Sequence, residues 1–466
     1  MAQKWSGTCE RNSAAFKYAP VKMKRSPLII FQLVLTFLLI NVGATGTFDH
    51  AITGKAKLFS SYDGGLIYPV LVKKFYENNS GSLPWFSDNE NAKQLRKQLI
   101  SVIDTSLDYG FIKTSYHYAE LKKYAESIPR DSALKSISEK IFTDACIAVF
   151  KDIYQGYTLK PGIGFDPVSP KYSDADNNFI LECLIKIYTA DQLSAQVKLL
   201  EPYETDYLLL KKELKLQKDK KENYKVQQII SSMNYFRWIH HFKPDKFIVV
   251  NIPSAYLRYY EKDSLMLFMR AVVGKPSTPT PRFAAYFNEV ILYPYWYPPA
   301  SIVFNELLPK IKRNPSIIDS WNMQVTDKNG KIVNHLKLNW SAFYTGNFPY
   351  ILRQSTGCDN SLGILKFNIS SPYGVYLHDT NNKTAFLSAS RFYSHGCMRI
   401  EEPIKLANHI LHEKLDTSFL QSCFKEQKPI PVQLDNPIPV FVVYMMAEAD
   451  PTGKIRYYKD IYNLLK

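Results

Sequence analysis

The sequence predicts an α+β protein in which an all-helical region precedes a mostly β region. At 466 residues the chain is too long for one ordinary domain. Residues 48–243 repeatedly place apolar residues at helical spacing, whereas from about Lys246 short segments are rich in β-branched and aromatic residues and are broken by Pro, Ser and Asp. Hydrophobic residues make up 46% and aromatic residues 14% of the chain, so both regions can build a core.

Residues 1–44 are predicted to be a signal peptide or an N-terminal membrane anchor. The apolar run LIIFQLVLTFLLINV follows Lys22, Lys24 and Arg25, which is the order of charge and hydrophobicity in a signal peptide. The small residues after it allow cleavage following Ala44, and an uncleaved inner-membrane anchor over residues 28–45 is the alternative. We therefore expect an exported protein of the periplasm or cell envelope.

The helical region carries clear amphipathic segments. Residues 92–110 and 138–156 each place apolar side chains on one stripe and end in glycine, a common helix stop. Cys146 and Cys183 lie inside such apolar patterns, which favours a place in the core. The charged residues 211–225 predict an exposed helix end or a linker.

The β region is predicted to begin with a run of antiparallel strands over residues 246–295. Residues 298–350 are less regular, with a short helix in NELLPKIKRNP and a hairpin with an Asn-Gly turn in VTDKNGKIV. Strands resume in GILKFNI and GVYLHD, a helix follows in EEPIKLANHILHEKL, and a last strand is expected in PVFVVYMMAEAD. Residues 447–466 are predicted to form a C-terminal tail.

Charge and cysteine usage restrict the classes of ligand. The net charge of +15 attracts polyanions, but no dense Lys/Arg cluster is interleaved with aromatic residues, so we do not predict nucleic-acid binding. None of the six cysteines lies in a CxxC arrangement, which argues against a zinc site. We predict neither a metal nor a cofactor. Loss of Cys9 with a signal peptide would leave five cysteines, so at least one thiol would be free or paired between chains.

Cys397, in RFYSHGCMRI, is the strongest candidate for chemistry. A thiol becomes a useful nucleophile when a neighbour accepts its proton, and histidine is the usual acceptor. His395 lies two residues before Cys397 and His378 lies nineteen residues before it. Gly396 permits unusual backbone geometry and would let nearby amides form an oxyanion hole. These residues alone leave open whether Cys397 is a nucleophile or a core thiol, and whether His395 is structural.

The stretch HDTNNKTAFLSASRFYSHGCMRI resembles the signature of the L,D-transpeptidases, bacterial enzymes that cross-link peptidoglycan with a catalytic cysteine. The family pattern is a histidine, a gap, then Ser-His-Gly-Cys and an arginine, matched here by His378, Ser394, His395, Gly396, Cys397 and Arg399.

The resemblance extends over most of the chain. VVNIPSAYLRYYE and SLGILKFNI look like the catalytic domain, which we assign to residues 244–446 with a capping subdomain inserted at 298–350. FYENNSGSLPWFSD looks like the helical scaffold domain of the larger members, assigned to residues 48–243. Residues 211–243 are too short for the peptidoglycan-binding module that many of those members carry.

The resemblance implies an acyltransferase that forms 3→3 cross-links. Cys397 would attack the carbonyl of the third stem-peptide residue, the terminal D-Ala would leave, and an amine of a second stem would then attack the thioester. His378 would accept and donate the proton, and amides near Gly396 and Cys397 would hold the oxyanion, with His395 shaping this turn or assisting there. The partners are donor and acceptor stem peptides and, as a further expectation, other wall-synthesis proteins. The resemblance also implies a role in cell shape and sensitivity to carbapenems.

Four residues are predicted to bind substrate. Tyr376 shares a strand face with His378, because alternate residues of a strand point the same way. Arg399 either binds a substrate carboxylate or braces the loop. Ser394 is expected to hydrogen-bond within the turn, and Trp296 is either a substrate ledge or ordinary packing.

Several alternatives remain open at this stage. Water as acceptor would make the protein an L,D-carboxypeptidase, and a protein lysine would make it an attachment enzyme. A non-catalytic wall-binding scaffold is a third alternative. A papain-like peptidase fits poorly, because its cysteine precedes its histidine in the chain. A disulfide between Cys358 and Cys423 could form in an oxidising compartment.

Overall fold

The computed structural model describes residues 65–78, 85–156, 173–243, 245–371, 373–411 and 415–465. The predicted signal peptide or anchor, residues 1–44, lies outside these described residues. Within them, no helix combines the length and the hydrophobicity needed to cross a membrane.

The N-terminal part of the described chain is all helical, as predicted. Polar caps set two of the helix starts: the side chains of Asn89 and Asp131 accept hydrogen bonds from the first-turn amides of Ala92 and Leu134. The helices are α1 (Pro69–Asn78), α2 (Glu90–Asp104), α3 (Tyr118–Lys123), α4 (Ser132–Gln155), α5 (Asp174–Ile185), α6 (Ala190–Leu200), α7 (Thr205–Asp219) and α8 (Asn223–Phe242).

These helices divide between two hydrophobic cores. Helices α1 to α6 pack around their own cluster, which contains the buried Cys146 and Cys183 and so confirms the prediction that both are core residues. Helices α7 and α8 instead contribute apolar side chains to the core of the β-rich region. The charged segment 211–225 is mostly helix within α7 and α8, and it buries Leu214 in that second core.

A nine-stranded sheet forms the β-rich region, in the order β10-β8-β7-β4-β11-β1-β2-β3-β9, and β10 also pairs with β3. The sheet therefore closes on itself through β10. The strands of the chain are β1 (Lys246–Asn251), β2 (Tyr256–Glu261), β3 (Ser264–Gly274), β4 (Phe283–Leu292), β5 (Met323–Thr326), β6 (Ile351–Gln354), β7 (Leu365–Ile369), β8 (Leu377–His378), β9 (Phe392–Ser394), β10 (Met398–Ile400), β11 (Ile430–Val443), β12 (Ala447–Ala449) and β13 (Ile455–Tyr457).

The predicted run of antiparallel strands holds for β1, β2 and β3, which pair antiparallel in sequence order. Strand β4 is also antiparallel to its neighbours, but these are β11 and β7 rather than β3. The β1–β11 and β8–β10 pairs are parallel. Parallel pairing joins segments that are distant in the chain, so the alternation of residues in each strand does not reveal it.

The predicted capping segment, residues 298–350, has a hydrophobic cluster of its own, built around Val303, Ile311 and Trp340. The expected Asn-Gly turn is present, with Gly330 at φ +83° and the Val333 N–H donating to the Val325 carbonyl oxygen at 2.9 Å. The other elements of this part of the chain are short: α9 (Ala300–Ile302), a π-helical turn (Val303–Leu307), α10 (Leu308–Arg313) and α11 (Ile317–Ser320), with β5 paired to β6. Two further helices, α12 (Pro403–Ile410) and α13 (Thr417–Gln421), follow β10.

The predicted C-terminal tail over residues 447–466 is corrected by the structure. Strands β12 and β13 form a hairpin that begins directly after β11. Glu448 on β12 is buried, and it accepts hydrogen bonds from Arg258 at 2.7 Å and from the Asn251 side chain at 2.8 Å. This hairpin is therefore packed into the β-rich region rather than trailing from it.

Candidate active site

Strand register brings the predicted site residues to one face of the sheet. Arg399 on β10 pairs with His378 on β8, and His378 pairs with Lys366 on β7. Paired residues share a face, as do residues two apart along one strand, so Tyr376 and Cys397 extend the same row. The signature contains three of these five residues, strand alternation predicted Tyr376, and the structure adds Lys366.

His378 is held as a neutral base. Its side chain is 5% exposed, and its Nδ1 donates to the backbone carbonyl of the next residue, Asp379. That tautomer leaves the Nε2 lone pair available to take a proton. Burial, together with the positive charges of Arg399 and Lys366, lowers the pKa of His378 to about 3. The imidazole is therefore uncharged at neutral pH.

The Cys397 thiol is also uncharged in this resting structure. Burial raises its pKa, while hydrogen bonding from Tyr376 and the charges of Lys366 and Arg399 act in the opposite direction without overcoming burial. The site thus combines a neutral thiol with a neutral imidazole on the same sheet face, rather than a preformed thiolate. A proton has to move as the sulfur attacks.

The turn that carries Cys397 is fixed by Ser394. The Ser394 hydroxyl donates to the Cys397 carbonyl oxygen at 2.6 Å and accepts from the Gly396 N–H at 3.1 Å, which is the role expected of it. Gly396 has φ +114°, a conformation that favours glycine.

Because the Gly396 N–H is already donated to Ser394, the predicted oxyanion role does not fall to that amide. The amide of Cys397, which was also predicted for this role, has no acceptor among the residues the structure describes, and for that amide the oxyanion role stays a prediction.

A loop between β3 and β4 supports this turn from outside the signature. The Thr280 hydroxyl donates to the Gly396 carbonyl oxygen at 2.8 Å and accepts from the Gly274 N–H at 2.8 Å. The hydroxyl of Tyr462, near the end of the described chain, donates to the Gly274 carbonyl oxygen at 2.6 Å. Sequence reasoning missed Thr280 and Tyr462, since no local pattern connects them to residues so far along the chain.

Replacement of Thr280 by valine is expected to slow the reaction of the Cys397 thiol with an electrophile about tenfold. Valine has nearly the shape of threonine but lacks its hydroxyl, so the buried Gly396 carbonyl and the buried Gly274 N–H lose this partner. The loss costs about 1–3 kcal/mol and loosens the turn. Intact-protein mass spectrometry of the rate at which the Cys397 thiol is modified measures this. Thr105→Val at the end of α2 also removes side-chain hydrogen bonds, so it is the control and should react at the wild-type rate. An unchanged rate for Thr280→Val would contradict the supporting role.

Asp379 anchors the end of the strand that carries His378. Its buried carboxylate accepts from the Ile364 N–H at 3.0 Å and the Thr380 N–H at 2.7 Å, and it also binds the Lys383 ammonium. Gly363 has φ +60°, and a Cβ there would lie 2.2 Å from the Asp379 carboxylate. The sequence placed Asp379 next to the base but gave no reason to expect this anchoring.

His395 makes its contact outside the row of site residues. Its Nε2 lies 2.6 Å from a carboxylate oxygen of Glu306 in the π-helical turn, and both side chains are well exposed. This contact ties the Cys397 turn to the predicted capping segment and does not favour direct proton transfer to Cys397. Glu306 is a site residue that sequence reasoning missed.

The remaining predictions concern Tyr376, Trp296 and the Cys358–Cys423 disulfide. Tyr376 is half-buried beside Cys397 and His378, with its ring 5.7 Å from the imidazole. Trp296 pairs through its backbone with Gln354 of β6, and the ledge role stays a prediction. The Cys358–Cys423 disulfide is formed, with a Cα–Cα distance of 5.1 Å.

The described chain thus consists of a helical region followed by a closed β-sheet that carries Cys397 and His378 on one face. Comparison with known families agrees: residues 245–432 match the L,D-transpeptidase catalytic domain, and residues 70–214 match the scaffold domain. The chain therefore carries an L,D-transpeptidase catalytic domain preceded by a scaffold domain.

Individual relatives are consistent with this. The chain is 36% identical over 218 residues to a Haemophilus influenzae protein whose name provisionally assigns it as an L,D-transpeptidase; the match covers 46% of this chain and 44% of that relative. The chain thus spans less than half the length of this curated relative.

Two solved structures are also similar. An L,D-transpeptidase from Mycobacterium smegmatis is 14% identical, covering 43% of this chain and 58% of its own, with a TM-score of 0.19. The catalytic domain of an E. faecium L,D-transpeptidase acylated by ertapenem is 14% identical. The match covers 44% of this chain and 99% of that chain, with a TM-score of 0.20.

Proposed function

We propose that this protein is a peptidoglycan L,D-transpeptidase that forms 3→3 cross-links through a thioester on Cys397. The observation that carries the proposal is the row of Cys397, Tyr376 and His378 on one sheet face, inside the region that matches the catalytic domain. A nucleophile and a base on adjacent strands suit acyl transfer without a metal or a cofactor.

In the first half-reaction, Cys397 Sγ bonds to the carbonyl carbon of the third stem residue while His378 Nε2 takes the thiol proton. The carbonyl oxygen becomes an oxyanion and accepts a hydrogen bond from the Cys397 amide. Collapse of this intermediate breaks the bond to D-Ala. The imidazolium returns its proton to the departing amine, so D-Ala leaves neutral at that nitrogen and a thioester remains.

In the second half-reaction, the side-chain amine of another stem attacks the thioester carbonyl. His378 removes a proton from that amine and passes it to the departing sulfur, which restores the thiol and leaves an amide cross-link. Because the pKa of His378 is about 3, the imidazolium forms only transiently, as the proton passes from the attacking group to the leaving group.

The proposal includes the setting expected from the sequence. The protein would be exported, act in the cell envelope and be anchored or released according to the fate of residues 1–44. Its partners would be donor and acceptor stems, along with other wall-synthesis proteins. Sensitivity to carbapenems follows from the same thiol, which would attack their strained carbonyl as it attacks the stem.

Product analysis tests the proposed function. The full-length protein is incubated with disaccharide-tetrapeptides, and the products are identified by mass spectrometry. We expect a dimer that lacks one D-Ala. An acceptor whose free side-chain amine is acetylated is the matched control and should give no dimer. Tripeptide without dimer would show hydrolysis instead of transfer, and no product would overturn the enzymatic assignment.

A further inference from the structure

Two cations flank the catalytic pair without a matching anion. Lys366 and Arg399 lie on either side of His378 in the strand register, and both are half-buried. Among the described residues, no carboxylate oxygen comes within 4 Å of either side chain's nitrogen atoms, and the buried Nε of Arg399 has no hydrogen-bond partner. The ammonium of Lys366 instead lies 4.2 Å from the centre of the Tyr376 ring.

Nearby carboxylates are engaged elsewhere. Each has partners of its own on neighbouring strands and loops: Glu289 with Asn368 and Gln433, Asp379 with Lys383, Glu401 with Arg270, and Glu306 with His395. The charge of Glu289 still acts on Lys366 from a distance, so the positive charge beside Cys397 is only partly compensated, and no described carboxylate contacts either cation directly.

Two half-buried cations without a contacting anion are electrostatically unfavourable, and binding of an anion would relieve this. Burial lowers the pKa of both Lys366 and Arg399, which shows that their charged forms are poorly solvated there. An incoming anion would recover that lost solvation energy through charge-assisted hydrogen bonds. The guanidinium fork of Arg399 suits a planar carboxylate in particular.

The span between the two cations fits such a ligand. Lys366 and Arg399 are separated by one intervening strand, so their backbones are roughly 10 Å apart. Both side chains are long enough to meet over His378, beside the carbonyl that Cys397 attacks. A carboxylate bound there would lie within one residue of the scissile bond.

We propose that Lys366 and Arg399 form a clamp for a carboxylate of the donor stem, next to the bond that is cleaved. This inference rests on the proposed function and assigns to Lys366 a role in donor selection. The carboxylate has two sources in a tetrapeptide stem: the free C-terminus of the fourth residue, and the side-chain carboxylate that some third-residue diamino acids carry. Binding it would also offset the two charges that act on the His378 imidazole.

The test measures how fast Cys397 of the full-length protein is acylated by three donors. These are a disaccharide-tetrapeptide with both carboxylates free, the same donor with a C-terminal amide, and a donor with lysine at the third position. Loss of a charge-assisted hydrogen bond lowers kcat/KM about 10- to 100-fold. The donor that lacks the bound carboxylate should be slower by that factor on the wild-type protein.

Lys366→Met should be slowed by a similar factor on the fully free donor and should show no further loss on the donor that lacks the bound carboxylate. A slow amide donor identifies the C-terminus as the source, and a slow lysine donor identifies the third-residue side chain. Lys246→Met on β1, a strand lysine far along the sheet order, is the control and should match the wild type on all three donors.

Two results would overturn the clamp. One is equal reaction of all three donors with the wild-type protein. The other is an equal slowing of all three by Lys366→Met in a variant whose thermal midpoint is unchanged, which would assign Lys366 a merely structural role. A wild-type protein that no donor acylates would instead contradict the proposed function itself.

Discussion

Cys397→Ala is expected to abolish covalent capture of the donor stem, and His378→Gln to slow it by about 10²- to 10⁴-fold. Alanine removes the only atom that can form the thioester in the proposed reaction. Glutamine keeps a polar side chain of similar reach but cannot take the proton of a neutral thiol. Intact-protein mass spectrometry measures both, and His409→Gln on α12 controls for the loss of a half-buried imidazole away from the row of site residues.

The pH profile separates base catalysis from a preformed thiolate. His378 has a pKa of about 3, and burial raises the thiol pKa above its ordinary value of 9.0. The neutral pair therefore persists from about pH 4 to about pH 8, and the wild-type acylation rate should change little over that range. The His378→Gln variant lacks the base and can react only through the thiolate. Its acylation rate should therefore rise about tenfold per pH unit in the same range.

Parallel profiles for the two proteins would contradict the base role. If the wild-type rate also climbed tenfold per unit, the reacting species would be the thiolate in both cases. His378 would then only shape the site.

Local patterns were enough to predict the helical region and the central pair of the site. The apolar stripes of α2 and α4 and the glycine that ends α4 depend on neighbours within one turn or two, which a sequence displays directly. Helix α2 ends at Asp104, earlier than predicted, and Gly110 instead ends the 3-10 turn that follows it. The signature around Cys397 and His378 spans only twenty residues, and it is joined in space by the short strands β8 and β10.

The rest of the site depends on contacts between distant segments. Lys366 reaches the site because β7 pairs antiparallel with β8, and Thr280 because a loop after β3 folds back on the Cys397 turn. Glu306 meets His395 across 89 residues of chain. Nothing in the local sequence of these three residues distinguishes them from ordinary polar positions.

The missed hairpin at the C-terminus had a local signal. Asp450 to Gly453 read Asp-Pro-Thr-Gly, and the Asp450 side chain accepts from the amides of Thr452 and Lys454 in a tight turn. The flanking strands have only three residues each, too short for alternation to be noticed. The burial of Glu448 could not be predicted from the sequence, because its partner Arg258 is 190 residues away in the chain.

Glu448→Ala is expected to cause the largest loss of stability, about 3–5 kcal/mol. Arg258 and Glu448 are 4% and 1% exposed, and their side chains meet at 2.7 Å. Removal of the carboxylate leaves the Arg258 charge buried with the Ala449 carbonyl oxygen, at 3.0 Å, as its remaining partner in this hairpin. The thermal midpoint and the urea midpoint should both fall sharply.

Two further variants show whether the ion pair or simple packing is responsible. Arg456→Gln breaks the Arg456–Asp450 pair of the same hairpin, where the arginine is half-exposed, and should leave both midpoints nearly unchanged. The double variant Arg258→Met, Glu448→Leu removes both buried charges and should recover most of the loss. A double variant as unstable as Glu448→Ala would point to packing instead. The hairpin leads on to Tyr462, whose hydroxyl holds the loop behind the Cys397 turn, so a destabilised hairpin should also slow acylation.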